Sequence, residues 1–299
     1  MSARFAASAM LVASIAASGC RPADAAKSGD TAQLAKRAAR LERALAQRDS
    51  IDPTKPLARW IMPQTLSELS GLTLTPDGRL LAHGDEDAKI SEIDYRRGVI
   101  VKQFALGRPA IKGDFEAIAS VSDRFYLLES NGTLYEFSEG KDGERVDYKT
   151  HDTKLGKECE FEGLAYDPAI ASLLLACKHV GTKSLKDDVV IYRWPIEKDE
   201  HELSTLTVPL SSIPAAVRPK GEFHPSDIAI DPINGNYVMI SSIEKAIMEI
   251  TPSGQVVFAR RLPGDHDQAE SLAITKDSVL IIGDESTRLP ATITLYRWP

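Results

Sequence analysis

One short phrase, an acidic residue opening a small apolar strand, recurs five times along the chain and limits its fold more than any other feature. It reads ELSGLTL from Glu68, FEAIASV with Glu116, FEGLAYD with Glu162, SDIAIDP with Asp227 and ESLAITK from Glu270. The acidic positions lie 48, 46, 65 and 43 residues apart, and a four-stranded propeller blade takes about 40 to 50 residues. The excess in the third interval falls in two polar stretches, His179 to Asp187 and Ser211 to Glu222, which read as loops extending one blade. Turn formers such as Thr75-Pro-Asp-Gly78, Asn131-Gly132 and Thr251-Pro-Ser-Gly254 punctuate the β-rich runs between the phrases. The expected fold is all-β, a five-bladed β-propeller of four-stranded antiparallel blades.

Within the first repeat the strands fall at Glu68 to Leu74, Arg79 to Gly84, Ile90 to Asp94 and Val99 to Leu106. The phrase IYRWP at Ile191 returns as LYRWP at Leu295, placing both on the third strand of their blades and leaving the last blade one strand short. Leu57 to Met62, just before the first repeat, can supply that strand and close the ring, hiding edges that would otherwise invite aggregation. Tyr296 and Trp298 are then expected to pack between blades.

The first strand of each blade lines the central channel, so Glu68, Glu116, Glu162, Asp227 and Glu270 are expected to converge. Five carboxylates at close range repel one another unless protons, water or a cation relieve them. Calcium, with six to eight oxygen ligands in flexible geometry, suits such a ring. Zinc is disfavoured because the six histidines form no HxxxH grouping and the cysteines no CxxC. Asp114 and Glu160, two residues before Glu116 and Glu162, are secondary ligand candidates. The alternative is that the acids cap backbone N–H groups at blade starts without any metal.

The pattern ELSGL, GDFEAIA, FEGLAYDP, HPSDIAIDP and QAESLAI resembles the SdiA-regulated (YjiK-like) family from about Pro56 to Pro299. Ala117 stands where that family more often has Gly. The resemblance implies a five-bladed propeller with a calcium site, distantly related to NHL-repeat propellers, and brings no established reaction.

Residues 1–19 read as a signal peptide: Arg4, an apolar run from Phe5 to Ala17, then Ala17-Ser18-Gly19-Cys20, which resembles a lipoprotein cleavage site with acylation of Cys20. An ordinary secretory cleavage is the alternative. Arg21 after Cys20 lacks the Asp that often retains lipoproteins at the inner membrane, so attachment to the outer membrane facing the periplasm is preferred. Residues 20–55 form a linker in which Leu34, Ala38, Leu41 and Leu45 recur at helical spacing. That helix is read as a spacer, with packing on the domain as the alternative. Residues 56–299 form the propeller. Cys159 and Cys177 could form a disulfide in an oxidising compartment, although a straight-strand reading puts Cys159 about four residues from the position opposite Cys177.

A net charge of −7 without a basic stripe argues against nucleic acid as a partner. No nucleophile elbow, Walker loop or HExxH motif is present. The expected partners are a calcium ion, the membrane through the lipid anchor, and a small ligand or envelope protein at the top face, the chain itself being a monomer. The competing reading is a calcium-dependent hydrolase of the phytase or lactonase kind, with His224 or His266 as proton carrier and Lys112, Lys157, Lys178 and Lys220 as loop cations for an anionic substrate.

Overall fold

The computed structural model describes residues 24–47, 52–196 and 202–299. The expected signal peptide, Cys20 and His201 lie outside them. The described chain runs through a helix, α1 (Asp24–Ala46), and an isolated strand, β1 (Ala58–Ile61), into five blades. Blade one holds β2 (Leu69–Leu74), β3 (Leu80–Gly84), β4 (Lys89–Asp94) and β5 (Val99–Leu106). Blade two holds β6 (Phe115–Val121), β7 (Arg124–Glu129), β8 (Thr133–Ser138), a two-residue β9 (Arg145–Val146) and β10 (Tyr148–Asp152). Blade three has β11 (Cys159–Asp167), β12 (Ser172–Val180), β13 (Asp188–Pro195) and β14 (Ser204–Pro209). Blade four has β15 (Asp227–Ile230), β16 (Tyr237–Ser241), β17 (Ala246–Ile250) and β18 (Val256–Arg261). Blade five has β19 (Ala269–Ile274), β20 (Val279–Asp284) and β21 (Thr292–Arg297), with β1 as its outer strand.

The expected ring closure is present. Ala58 lies opposite Leu295 and Ile61 opposite Thr292, and Leu57 N–H and Met62 N–H extend the ladder to Leu295 O and Ala291 O at 2.7 and 2.9 Å. One departure from the four-strand plan occurs: β9 leaves blade two to pair in parallel with β5, giving blade one a fifth strand.

Strands β16, β17 and β20 are buried along their whole length because neighbouring blades cover both faces, which is why YVMIS, AIMEI and VLIIGD lack polar alternation. The core is accordingly a series of inter-blade layers. One layer joins Leu174, Ala176 and Val189 of blade three to Tyr237, Met239 and Met248 of blade four. The next joins Val238 and Ile240 to Leu272, Tyr296 and Trp298.

Polar ties cross these layers. The carboxylate of Asp167, at the end of β11, accepts the Tyr237 hydroxyl at 2.5 Å, and that of Asp231, just past β15, accepts Trp298 Nε1–H at 2.8 Å. Each tie joins the end of one blade's inner strand to an aromatic of the following blade. Trp298→Phe removes the donor with part of the buried ring and leaves the Asp231 oxygen without that partner. It should lower stability by about 1 to 3 kcal/mol in urea denaturation, the cost of a buried acceptor left unsatisfied; an unchanged stability would show that the bond does not join the blades.

The helix is not a free spacer. Leu41 is 1% exposed and packs with Leu66, Tyr95 and Leu295 of the propeller. Arg37 Nη1 donates to Arg97 O at 3.1 Å, Arg96 pairs with Glu42, and Arg297 Nη2 donates to Leu45 O at 3.0 Å. The Leu41 and Leu45 stripe that marks the helix in the sequence is the face it buries. No described helix is long and apolar enough to cross a membrane.

Candidate functional site

The first two strands of four blades fall out of step by one residue where the first strand enters the channel. The register shifts lie between Leu69 and Gly71, Phe115 and Ala117, Phe161 and Gly163, and Ala269 and Ser271. The residues left out of the ladder are Ser70, Glu116, Glu162 and Glu270. Aligning the apolar residue two places on (Leu72, Ile118, Leu164, Ile228, Leu272) puts Ser226 at the same place in blade four. Equivalent positions around the ring therefore carry three carboxylates and two hydroxyls, not five carboxylates. Glu68 and Asp227 are the nearest acids to that position in their repeats and do different work.

Glu116, Glu162 and Glu270 form an inner group around one cation, Lys178. A second register shift explains how that lysine arrives: Phe161 pairs with Cys177 and Glu160 with His179, so Lys178 drops out of β12 as Glu162 drops out of β11. The two unpaired residues form an ion pair with each other. Lys178 is thus a strand residue at a bulge, half-buried, rather than a loop cation. The double bulge also shortens the path between the cysteines, whose Cα atoms are 5.6 Å apart in a Cys159–Cys177 disulfide.

One ammonium cannot keep three carboxylates ionised. Burial, then Glu162 and Asp114, push the Glu116 carboxyl up to about 9, and burial and Glu270 push Glu162 up to about 8 against the pull of Lys178. Burial raises Glu270 as well. Lys178 itself moves upward because Glu162, Glu270 and Glu116 together outweigh its desolvation. Glu162, in direct contact with the ammonium, is held lower than Glu116. Beyond this group the first strands line a pocket of about 140 Å³ whose wall includes Leu72, Leu164, Ile228 and Leu272.

Glu68 belongs to a separate outer group. One carboxylate oxygen from each of Glu68, Asp85 and Glu285 lies within 4.8 Å of the others, at the ends of blades one and five. Glu285 is pushed up to about 8, first by burial, then by its hydrogen bond to Glu68 and by the charges of Glu270, Glu68 and Asp85. Burial and Glu68 also raise Asp85, and Asp85 Oδ1 is buried without a hydrogen-bond partner. Gln268 donates to Glu285. Among the described residues this is the one group of three His, Cys, Asp or Glu side chains whose atoms converge at metal-ligand spacing. Sequence reasoning missed Asp85 and Glu285 because each follows the second strand of its blade and neither shares the repeated phrase.

Asp227 is fully buried and serves the backbone. It accepts Ile228 N–H at 2.7 Å and Leu272 N–H of blade five at 2.8 Å, and the Leu164 N–H of blade three also reaches it. Gly163 allows this approach, since a Cβ there would sit 2.9 Å from Ile228 N. Asp227 is therefore a strut across three blades, as the capping alternative described.

Of the secondary candidates, Asp114 accepts the Ser130 hydroxyl at 2.6 Å and Glu160 is exposed. His266 is not an exposed loop residue: it is buried, with Nδ1 2.8 Å from Asp284 Oδ2 and Nε2 2.9 Å from the Tyr296 hydroxyl. Its two ring nitrogens are thereby committed. His224 is half-buried with Nδ1 3.0 Å from Glu244 Oε1. Lys112 stands 3.7 Å from Asp87, and Lys157 and Lys220 are exposed.

Comparison with protein families and with curated proteins by sequence gives no match. Solved structures do match. Myxococcus xanthus glutaminyl cyclase superposes with a TM-score of 0.52 at 15% identity, covering 81% of this chain and 94% of its own. The PQQ-bound aldose sugar dehydrogenase from Streptomyces coelicolor gives 0.53 at 14%, covering 83% and 99%. A luciferin-regenerating enzyme gives 0.53 at 10%, covering 81% and 95%. The cyclase and the dehydrogenase are β-propellers. The chain is a β-propeller. At these identities the likeness is one of fold alone.

Proposed function

We propose that this propeller is a calcium-binding module of the bacterial envelope, of the SdiA-regulated type and tethered through Cys20. Its channel mouth would hold the ion on Glu68, Asp85 and Glu285. The carrying observation is the convergence of those three carboxylates within 4.8 Å. The donor set fits a hard cation: all ligand atoms are oxygens, burial and the neighbouring carboxylates push Glu285 up to about 8, and one buried Asp85 oxygen lacks a partner. The inner group is a poorer home for the ion because Lys178 already supplies a positive charge there.

The purified full chain, stripped with a chelator, should melt higher when calcium is restored. At a free concentration of about 100 times Kd the gain is about 2.7 kcal/mol. Glu68→Gln with Glu285→Gln should abolish that response, and Glu116→Gln with Glu162→Gln should leave it. No response in the wild type would sink the proposal. Loss in the inner double variant alone would move the ion onto the ring. Because Glu285 holds its proton up to about pH 8 and must release it to ligate, calcium affinity should rise from pH 6 to pH 9.

A second reading, a calcium-dependent hydrolase, is favoured by one observation: Glu116 and Glu162 are carboxyls held protonated near neutrality beside a lysine, a pairing suited to general acid chemistry. Calcium-dependent turnover of phosphate esters or lactones that disappears in Glu162→Gln would establish it.

A further inference from the structure

The acids stand where the first strands begin; where those strands end, the channel opens into a second concavity. Strands β2, β6, β15 and β19 end there at Leu74, Val121, Ile230 and Ile274, and Tyr166 stands one residue before the end of β11. The turns that follow enclose a bowl of about 1120 Å³, at the upper end of the range of about 300 to 1,000 Å³ for sites that take drug-sized molecules. Leu74, Ser120, Tyr166, Ile230 and Ile274 line both this bowl and the pocket of about 140 Å³ between the first strands. The two spaces are one funnel, with the smaller as its throat. Asp227 stops the throat above, because the backbone N–H groups it accepts belong to Leu164, Ile228 and Leu272 of the throat wall.

The wall changes character along the depth of the funnel. Around the bowl, the turns after the first strands of blades one, three and four carry Pro76, Pro168 and Pro232. A proline there fixes the turn and adds apolar wall with no N–H to leave unpaired. The charges at the rim neutralise one another. Arg79 pairs with Asp77, Glu92 and Glu139, and Arg96 with Asp277 and with Glu42 of the docked helix. Lys276 directs its ammonium to Pro76 O at 3.4 Å, across the seam between blades five and one. The throat is different. Strands β2, β6, β11, β15 and β19 are the end strands of their sheets, so their free edges turn backbone N–H and C=O groups toward the channel. Ser120 Oγ, at the junction of bowl and throat, is buried without a hydrogen-bond partner.

We propose that the funnel binds one uncharged organic molecule, its aromatic or alicyclic body against Tyr166, Ile230 and Ile274 and a hydroxyl, amide or amine tip in the throat. A charged ligand would lose hydration against a rim whose charges are already paired, which selects the uncharged form. The polar tip meets Ser120 and the free strand edges, which a purely apolar molecule would leave without partners. The funnel and the group of Glu68, Asp85 and Glu285 lie at opposite ends of the first strands, and neither depends on the other.

A matched pair of fluorescent probes tests this: N-phenylnaphthylamine, which is uncharged and carries one N–H, and the same skeleton bearing a sulfonate, anilinonaphthalenesulfonate. Titrated into the full chain, the uncharged probe should saturate at one equivalent and bind at least about 10-fold tighter than the sulfonate. Ser120→Leu, which narrows the junction, and Pro232→Trp, which fills the bowl, should each weaken the uncharged probe by at least about 10-fold. Pro232 is exposed in its turn, so its variant decides the matter even where Ser120→Leu lowers the melting temperature. The Glu68→Gln, Glu285→Gln variant should keep full affinity for the probe, so that loss of calcium binding and loss of the funnel ligand are separable. Absence of saturable one-to-one binding, unchanged affinity in Pro232→Trp, or equal or tighter binding of the sulfonate would each overturn the proposal.

Discussion

Lys178→Met should destabilise the protein by about 1 kcal/mol more at pH 8 than at pH 5, measured by urea denaturation at the two pH values. The cost of about 3 to 5 kcal/mol for stranding a buried charge is not reached, because Glu162, raised to about 8, takes up a proton instead. The pH split follows from the carboxyls it serves. Folded Glu116 and Glu162 hold protons up to about 9 and about 8, whereas the unfolded chain releases them near 4.5. The folded state therefore binds more protons between those limits, and stability falls as pH rises through that window. At pH 5 the carboxyls are largely neutral in the folded protein and the lysine has little to balance. At pH 8 Glu162 is ionising, and without the ammonium the fall steepens. An equal loss at both pH values would mean that the aliphatic stem of Lys178, not its charge, supplies the stabilisation.

Asp227→Ala should cost more, about 4 kcal/mol at the acid end of the range in which the protein folds and less as pH rises, because burial holds the folded carboxyl well above the usual carboxylate range. The side chain satisfies backbone donors at Ile228 and Leu272 through bonds of 2.7 and 2.8 Å, with Leu164 as a third. Each buried donor left without a partner costs about 1 to 3 kcal/mol, and water has no route to replace a group 2% exposed. Asp227→Asn keeps one acceptor oxygen and should recover part of the loss. If Asp227→Ala instead left thermal stability unchanged and removed only calcium binding, Asp227 would be a ligand after all and its reading as a strut would fail.

The architecture was legible because it is periodic. Four strands laid out in the first repeat agree with β2 to β5 to within a residue at each end, and the paired YRWP phrases exposed the missing outer strand. The site was harder to read for two physical reasons. Spacing puts the acid nearest the repeated phrase in the equivalent place, but in blade one a bulge shifts the register by one residue and leaves Ser70 there, and in blade four Ser226, just before β15, holds that place. Groups assembled from strand ends of different blades, such as Asp85 with Glu285, share no sequence spacing at all. The disulfide stayed one of two readings in the sequence because straight strands would keep Cys159 and Cys177 apart; bulges at Glu162 and Lys178 bring them together.

The pairing of β1 with β21 also orders events in time. Residues 58–61 leave the ribosome before any blade, yet their partner strand ends at residue 297. Through nearly the whole of synthesis β1 must remain an unpaired strand, and the fifth blade cannot be completed by stepwise addition as the chain emerges. The ring is thus completed as a single late event that joins the first strand made to the last. A chain halted anywhere before that point carries an open edge and presents to chaperones and proteases a form distinct from the finished molecule.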